Sequence, residues 1–310
     1  MNHNDTAIVM YYWNHFKRAS LFKNFNVCYS NLLKYKCHIV PVEISTNDTF
    51  DLNMPGTVKF RTDQLLWQKE RVINYVCERL PQTYKYIVFC DSDILFTDDE
   101  WVEKAKNKLE DKQDLMLQLF SSVYYLPRNH YKYHGYCVFT NPSISYQIVK
   151  SGGKQGYINT FNSPEYLYGN PGMVWMCKRE TLLNNPLYDK CVVGGGDTVN
   201  IISWLNLQND KNIPIGKKIL DDIQPFLKET LKLNKSNIEF DYIDQPIFHL
   251  NHGNKVNRKY NDRQKIISEF NLNPEQDLYI EQGLYRYRGE NKEFLLSIKN
   301  FFKERNEDIE

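Results

Sequence analysis

Short runs in which nearly every position is apolar alternate, early in the chain, with stretches whose apolar residues recur at steps of three and four. "TAIVMYYW" (Thr6–Trp13), "CHIVPVEIS" (Cys37–Ser45) and "YIVFC" (Tyr86–Cys90) read as strands, while Phe16–Lys34 and Asp63–Leu80 read as helices. In the second helix Leu65, Leu66, Val72, Ile73, Val76, Cys77 and Leu80 form one amphipathic stripe. A β-α-β-α-β order implies right-handed crossovers and a parallel sheet covered on both faces, so the fold class expected is α/β. "DLMLQLF" (Asp114–Phe120) predicts another strand, after which Tyr, Pro, Gly and Asn crowd residues 124–170, the expected recognition region. Further on, "GMVWMCKRETLL" predicts a strand then a helix, "GGGDTVNIISWL" a glycine turn opening a helix, and "IFHLNHG" a strand ending in a loop. Phe294, Leu295, Ile298, Phe301 and Phe302 share one face of a C-terminal helix that packs on the domain. No repeat or Pro/Ser-rich linker interrupts the 310 residues, so a single domain is expected.

Charge narrows the partners. With 39 basic and 38 acidic residues the net charge is +1, too small a field to argue for nucleic acid or a membrane surface. Any bound anion must therefore be neutralised locally. The seven cysteines are odd in number, scattered and without a CxxC pair, which predicts reduced, partly buried thiols of a cytosolic protein. The start "MNHNDTAIVMYYW" has no basic n-region and no long apolar run, and nothing approaches the ~20 apolar residues of a membrane helix.

The chemistry concentrates where "YIVFC" runs into "DSD". Along extended chain Asp91 and Asp93 project to one side and Ser92 to the other. Two carboxylates on one face repel unless a cation neutralises them, and the carboxyl end of a parallel strand is where open α/β sheets place ligands. Asp98 and Asp99 read instead as the acidic start of the next helix. An EF-hand beginning at Asp91 is excluded because Phe96 and Val102 stand where Gly and Glu are required. "GGGDT" lacks the lysine of a phosphate-binding P-loop.

"YIVFCDSDILF", preceded by "LLWQKERVIN" and followed by "GNPGMVWMCKRE", "GGGDT" and "HLNHGNKVNRKYNDR", resembles the metal-dependent nucleotide-sugar glycosyltransferases of the GT-A fold. The resemblance implies a Rossmann-like, mostly parallel central sheet flanked by helices. It divides one domain into a nucleotide-sugar half (about residues 1–120), an acceptor half (121–255) and a C-terminal helical extension (256–310). It implies a divalent ion, Mn2+ or Mg2+, bridging the diphosphate of a nucleotide-sugar donor, most simply a UDP-sugar, with transfer to a hydroxyl acceptor. Asp93 would be the main ligand, Asp91 would touch metal or donor, and Ser92 would sit against the donor. The same acid pair also suits a nucleotidyl- or phosphoryl-transferring enzyme, and the scaffold a non-catalytic carbohydrate-binding protein.

Other residues take expected roles beside that resemblance. His252, in a late loop and followed by Gly253, is the better candidate to complete the metal shell, with Gly253 permitting close approach of phosphate; the plainer alternative is a core His249 and a His252 in a turn, and which of the two ligates stays open. Lys255 and Arg258 are expected to pair with the diphosphate. Tyr11, Tyr12 and Asn14, after the first strand, are expected to seat the base. Lys69, Glu70 and Arg71 are similar to a stretch at the nucleotide side of that fold, but read first as an ordinary exposed helix face with intrahelical pairs. Gly172 and Trp175 fall on the acceptor side, where Trp175 either stacks on a sugar or is buried. Asp197 is expected to serve the acceptor as base or orienting carboxylate, because three preceding glycines suit close substrate approach better than simple capping.

Overall fold

The computed structural model describes residues 3–161, 168–207, 223–226, 228–229, 237–259 and 263–308. In chain order the strands are β1 (His3–Trp13), β2 (Cys37–Ser45), β3 (Val58–Arg61), β4 (Tyr86–Cys90), β5 (Ile94–Phe96), β6 (Leu115–Gln118), β7 (Ser122–Tyr125), β8 (Phe139–Pro142), β9 (Val174–Lys178), β10 (Glu239–Tyr242), β11 (Pro246–His249), β12 (Leu278–Glu281) and β13 (Leu284–Tyr287). The central sheet has the order β10-β6-β9-β4-β1-β2-β3. It is parallel throughout except at β9, which runs antiparallel to both β4 and β6. The expected α/β class, with a central mostly parallel sheet flanked by helices, is what forms. Strands from either side of residue 120 share this sheet.

β1 shows why both faces are apolar. Its alternate residues Val9, Tyr11 and Trp13 join a core with Ile73 and Val76 of helix α2 (Lys69–Arg79). Ile8, Met10 and Tyr12 join the opposite core, with Phe25 of α1 (Ala19–Leu33) and Trp101 of α3 (Trp101–Leu109). A strand with side chains in two cores must be apolar at both parities. Each fully buried side chain of this kind, such as Ile8 or Phe25, contributes about 1.5–3 kcal/mol.

A second sheet, β5-β11-β7-β8, meets the first where the chain leaves β4. β11 pairs antiparallel with β5 and parallel with β7. The residues from Asp91 to Asp93 are thus the hinge between two sheets, held from both sides. The C-terminal helix Lys292–Glu304 buries Phe294, Ile298, Phe301 and Phe302 on the face its spacing predicts. Among the described residues no helix is long and apolar enough to cross a membrane. Of the cysteines, Cys28, Cys77, Cys90, Cys177 and Cys191 are buried, and all seven are free.

One boundary differs from expectation. The helix predicted from Asp63 begins only at Lys69, because the preceding residues are committed to other partners: Trp67 N–H donates to Val192 O at 2.8 Å, and the Gln68 amide pairs with both backbone groups of Tyr285. The Trp67 bond ties the approach to α2 to the chain just before the "GGGDT" turn, and the Gln68 bonds tie it to β13.

Candidate metal centre and active site

The turn between β4 and β5 aims its two aspartates at different partners. Asp91 is fixed by Met173: its N–H donates to Met173 O at 2.8 Å and its Oδ2 accepts from Met173 N–H at 3.2 Å. Asp93 accepts the Leu250 N–H on its backbone oxygen at 2.7 Å, which places it beside the end of β11. His249 closes that strand, opposite Ile94 in the antiparallel ladder. His252 follows in a turn made by Asn251, whose side chain accepts the Gly253 N–H at 3.1 Å and whose carbonyl is tied to Asn24 of α1 at 3.0 Å.

The result is a cluster of Asp93, His249 and His252 whose ligand atoms all lie within 4.8 Å of one another. His252 Nε2 is 2.9 Å and His249 Nε2 3.6 Å from Asp93 Oδ2. A strand would point residues i and i+3 to opposite faces and a helical turn to the same one. The chain turns after His249, so both rings converge, with centroids 5.2 Å apart. Both are buried, at 4% and 7% exposure. Asp91, by contrast, is outside the cluster.

Electrostatics suit a cation here. Burial alone would raise the Asp93 carboxyl, yet the neighbouring His249, His252 and Arg258 outweigh it and hold it well below the usual carboxylate range. Burial pushes the His249 imidazole down to about 3, with Asp93 pulling the other way. Arg258 Nη2 lies 2.8 Å from His252 Nε2, and since a guanidinium only donates, Nε2 accepts. Nε2 and Asp93 Oδ2 are then two lone-pair atoms 2.9 Å apart. A bridging cation relieves that opposition. Asp93 Oδ1 is also buried and makes no hydrogen bond among the described residues. One carboxylate and two imidazoles fit a first-row transition ion such as Mn2+ better than Mg2+, which takes oxygen ligands.

Beside the cluster stands a second constellation. The Lys69 ammonium lies 3.1 Å from Asp91 Oδ1 and 2.9 and 3.1 Å from the two oxygens of Asp197. Lys69 and Glu70 are 8% and 2% exposed, so the expected solvated helix face is corrected: these charges are buried because α2 presents its first turn to the site. Burial disfavours the charged Lys69, but Asp197, Asp91 and Glu70 more than compensate and raise its pKa well above the usual value. Asp91 is pushed up to about 6 by burial, with Asp197 and Asp93 adding to the rise against Lys69.

Asp197 sits in the first turn of the helix Gly196–Trp204, whose cap residue is Gly195; no side-chain cap is made there. The glycines before it lie close against protein side chains. A Cβ on Gly196 would lie 2.4 Å from Glu70, and one on Gly195 2.6 Å from Gln264 and 2.9 Å from Arg263. Gly172 is similarly close to Asp197 Oδ2, at 3.1 Å. Gly253 likewise accommodates protein: its Cβ would fall 2.7 Å from Glu307 Cα.

All of this faces one cavity of about 890 Å³. Tyr11, Asp91, Ser92, Asp93, Asp197, His252 and Arg258 all line it. Tyr12 and Asn14 do not. Their side chains lie on the other face of β1, where Tyr12 Oη donates to Asp51 at 3.0 Å and Asn14 accepts the Arg18 N–H at 2.7 Å at the start of α1. Trp13 and Trp67, which the sequence reading did not single out, line the cavity with Tyr11 instead. Trp175 is buried against Trp204 and Phe240, with its indole donating to Pro171 O at 3.0 Å. The Lys255 side chain falls outside the described side chains.

No family model and no curated protein matches this chain. Solved structures to which it is similar are glycosyltransferases. The catalytic domain of Drosophila β1,4-galactosyltransferase 7, in complex with xylobiose, is 13% identical with a TM-score of 0.32, over 67% of this chain and 62% of that one. Glucosyl-3-phosphoglycerate synthase from Mycobacterium tuberculosis, in complex with Mn2+, UDP and phosphoglyceric acid, is 11% identical with a TM-score of 0.40, over 88% and 76%. The same enzyme with Mn2+, UDP and glucosyl-3-phosphoglycerate gives 10%, 0.42, 92% and 87%. This chain thus spans less than two thirds of the Drosophila domain.

Proposed function

We propose that the chain is a metal-dependent glycosyltransferase that moves a sugar from a nucleotide donor, a UDP-sugar, to a hydroxyl acceptor. The observation that carries this reading is the pairing, in one cavity, of the Asp93–His249–His252 cluster with the Lys69-bridged carboxylates Asp91 and Asp197. Asp93, His249 and His252 would hold the divalent ion. When bound, such an ion supplies Lewis-acid stabilisation of the charge that develops on a departing diphosphate.

The remaining roles belong to the chain. Arg258, in contact with the cluster, offers a permanent charge and several donors to diphosphate oxygens. Tyr11, Trp13 and Trp67 offer an aromatic wall for the base. Asp91, anchored by Met173 and Lys69, is placed to accept hydrogen bonds from donor hydroxyls. Asp197 has 37% of its side chain exposed, so its carboxylate can orient an attacking hydroxyl and take its proton. Lys69 keeps Asp91 and Asp197 in register, which couples donor and acceptor positions.

Product analysis tests the proposal. With Mn2+, a panel of UDP-sugars and hydroxyl acceptors, the expected product is free UDP formed in step with a glycosylated acceptor. Release of pyrophosphate or inorganic phosphate would assign nucleotidyl or phosphoryl transfer instead. Glycan binding that ignores both metal and Asp93→Ala would reduce the chain to a carbohydrate-binding protein.

A further inference from the structure

The residues after the C-terminal helix return to the site. Asp308 places its carboxylate on the N-terminus of α1, accepting from Ala19 N–H at 3.0 Å and Ser20 N–H at 2.9 Å, where Arg18 makes no side-chain cap of its own. Ser20 Oγ donates to Glu307 O at 3.0 Å, and the Arg128 guanidinium donates to Asp308 O. These bonds strap the tail across the cavity beside the His252 loop. Gly253, at φ +89°, leaves the space that the Glu307 backbone fills. Glu307 is 6% exposed, and its Oε1 receives Arg305 Nη2 at 2.8 Å.

The same Oε1 faces His252 Nδ1 at 3.7 Å. The Arg258 contact assigns the imidazole proton, and Glu307 faces the nitrogen that carries it. Arg258 can only donate to Nε2, so Nε2 carries the lone pair and Nδ1 the hydrogen. Nδ1 is buried and makes no hydrogen bond among the described residues, and the Glu307 carboxylate, at 3.7 Å, is the acceptor it faces. A carboxylate behind a ligating histidine fixes its tautomer and raises its basicity.

We propose that Glu307 is a positioning residue for the metal site: its carboxylate, strapped in place by the C-terminal tail, faces the Nδ1–H of His252, favours that tautomer and so presents the Nε2 lone pair to the cation. The proposal rests on the metal site argued above, and extends it to a residue distant in sequence from every motif of that site. In this role Glu307 acts on the cation through His252.

The test uses the full chain and Mn2+ alone, reading unbound Mn2+ by its electron paramagnetic resonance signal. Glu307→Met fills the volume but cannot accept a hydrogen bond, whereas Glu307→Gln can. Glu307→Met is expected to weaken Mn2+ binding by roughly 10- to 100-fold, the usual effect of losing such a support, and Glu307→Gln to recover most of it. In ¹⁵N spectra of histidine-labelled protein without metal, the Nδ1–H form of His252 should dominate in wild type and lose that dominance in Glu307→Met. Equal Mn2+ affinity and an unchanged tautomer in all three proteins would overturn the proposal. Equal weakening by Met and Gln with the tautomer retained would overturn it too, reducing Glu307 to packing. A wild-type chain that binds no Mn2+ would remove the metal site itself, an outcome distinguishable because it needs no variant.

Discussion

Glu70 offers a prediction whose size can be worked from the structure. Its carboxyl lies against the Gly196 backbone, both oxygens are buried, and neither makes a hydrogen bond among the described residues. Burial is the main reason its pKa rises from 4.5 to about 7; Asp197 adds to the rise and Lys69 opposes it. A rise of that size corresponds to about 3 kcal/mol at ~1.36 kcal/mol per pH unit. The sign follows from proton uptake on folding: the native state holds a proton that the unfolded chain has released. Stability from this group is therefore full below pH 4.5 and is lost as pH rises to about 7. Glu70→Gln removes the titration while keeping the shape. Urea unfolding of both proteins from pH ~4.5 to ~8 should show the variant gaining on wild type by about 3 kcal/mol across that interval, with unchanged m values. Any constant cost of the buried amide appears as an offset and leaves the slope intact. A difference that stays flat with pH, or widens toward acid, would refute the reasoning.

Three further outcomes are expected. Lys69→Met leaves Asp91 and Asp197 facing each other without their shared cation; breaking a buried pair typically costs 3–5 kcal/mol, and the 37% exposure of Asp197 points to the low end, about 3 kcal/mol in urea unfolding at neutral pH. A loss below ~0.5 kcal/mol, the scale of a surface pair, would show that solvent screens the bridge. Asp197→Asn should leave Mn2+ and UDP binding intact by thermal shift while lowering transfer ~100- to 10,000-fold, whereas near-normal turnover would leave Asp197 a structural acid. His249→Ala and His252→Ala should each weaken Mn2+ binding measured by titration, and an effect confined to one ring would exclude the other from the shell.

Much of this architecture was legible in the sequence, and the failures have physical causes. Strands alternating with helices implied the parallel sheet, and runs apolar at both parities, such as Ala7 to Trp13, agree with cores on both of its faces. The Asp91–Asp93 pair at a strand's carboxyl end marked the site. Strand alternation, applied strictly, would also have separated Tyr11 and Trp13, which line the cavity, from Tyr12 and Asn14, which do not. Lys69 and Glu70 carried a signal as well: they fall between Leu66 and Ile73 at steps of three and four, on the buried stripe of the helix, where a charge needs a partner. The convergence of His249 and His252 was hidden because it depends on where β11 stops. The meeting of Asp91 with Asp197, and of His252 with Glu307, depends on contacts between segments far apart in sequence, which no local periodicity encodes.

The central claim is that Asp93, His249 and His252 together hold the divalent ion. Crystals grown with Mn2+ and UDP, measured at a wavelength where manganese scatters anomalously, test it most directly. One strong anomalous peak is expected within coordination distance of a carboxylate oxygen of Asp93 and the Nε2 atoms of His249 and His252, with the UDP phosphates on its open side. A peak held by Asp91 and Asp197 in place of Lys69, or UDP bound in the cavity with no peak at the two histidines, would contradict it.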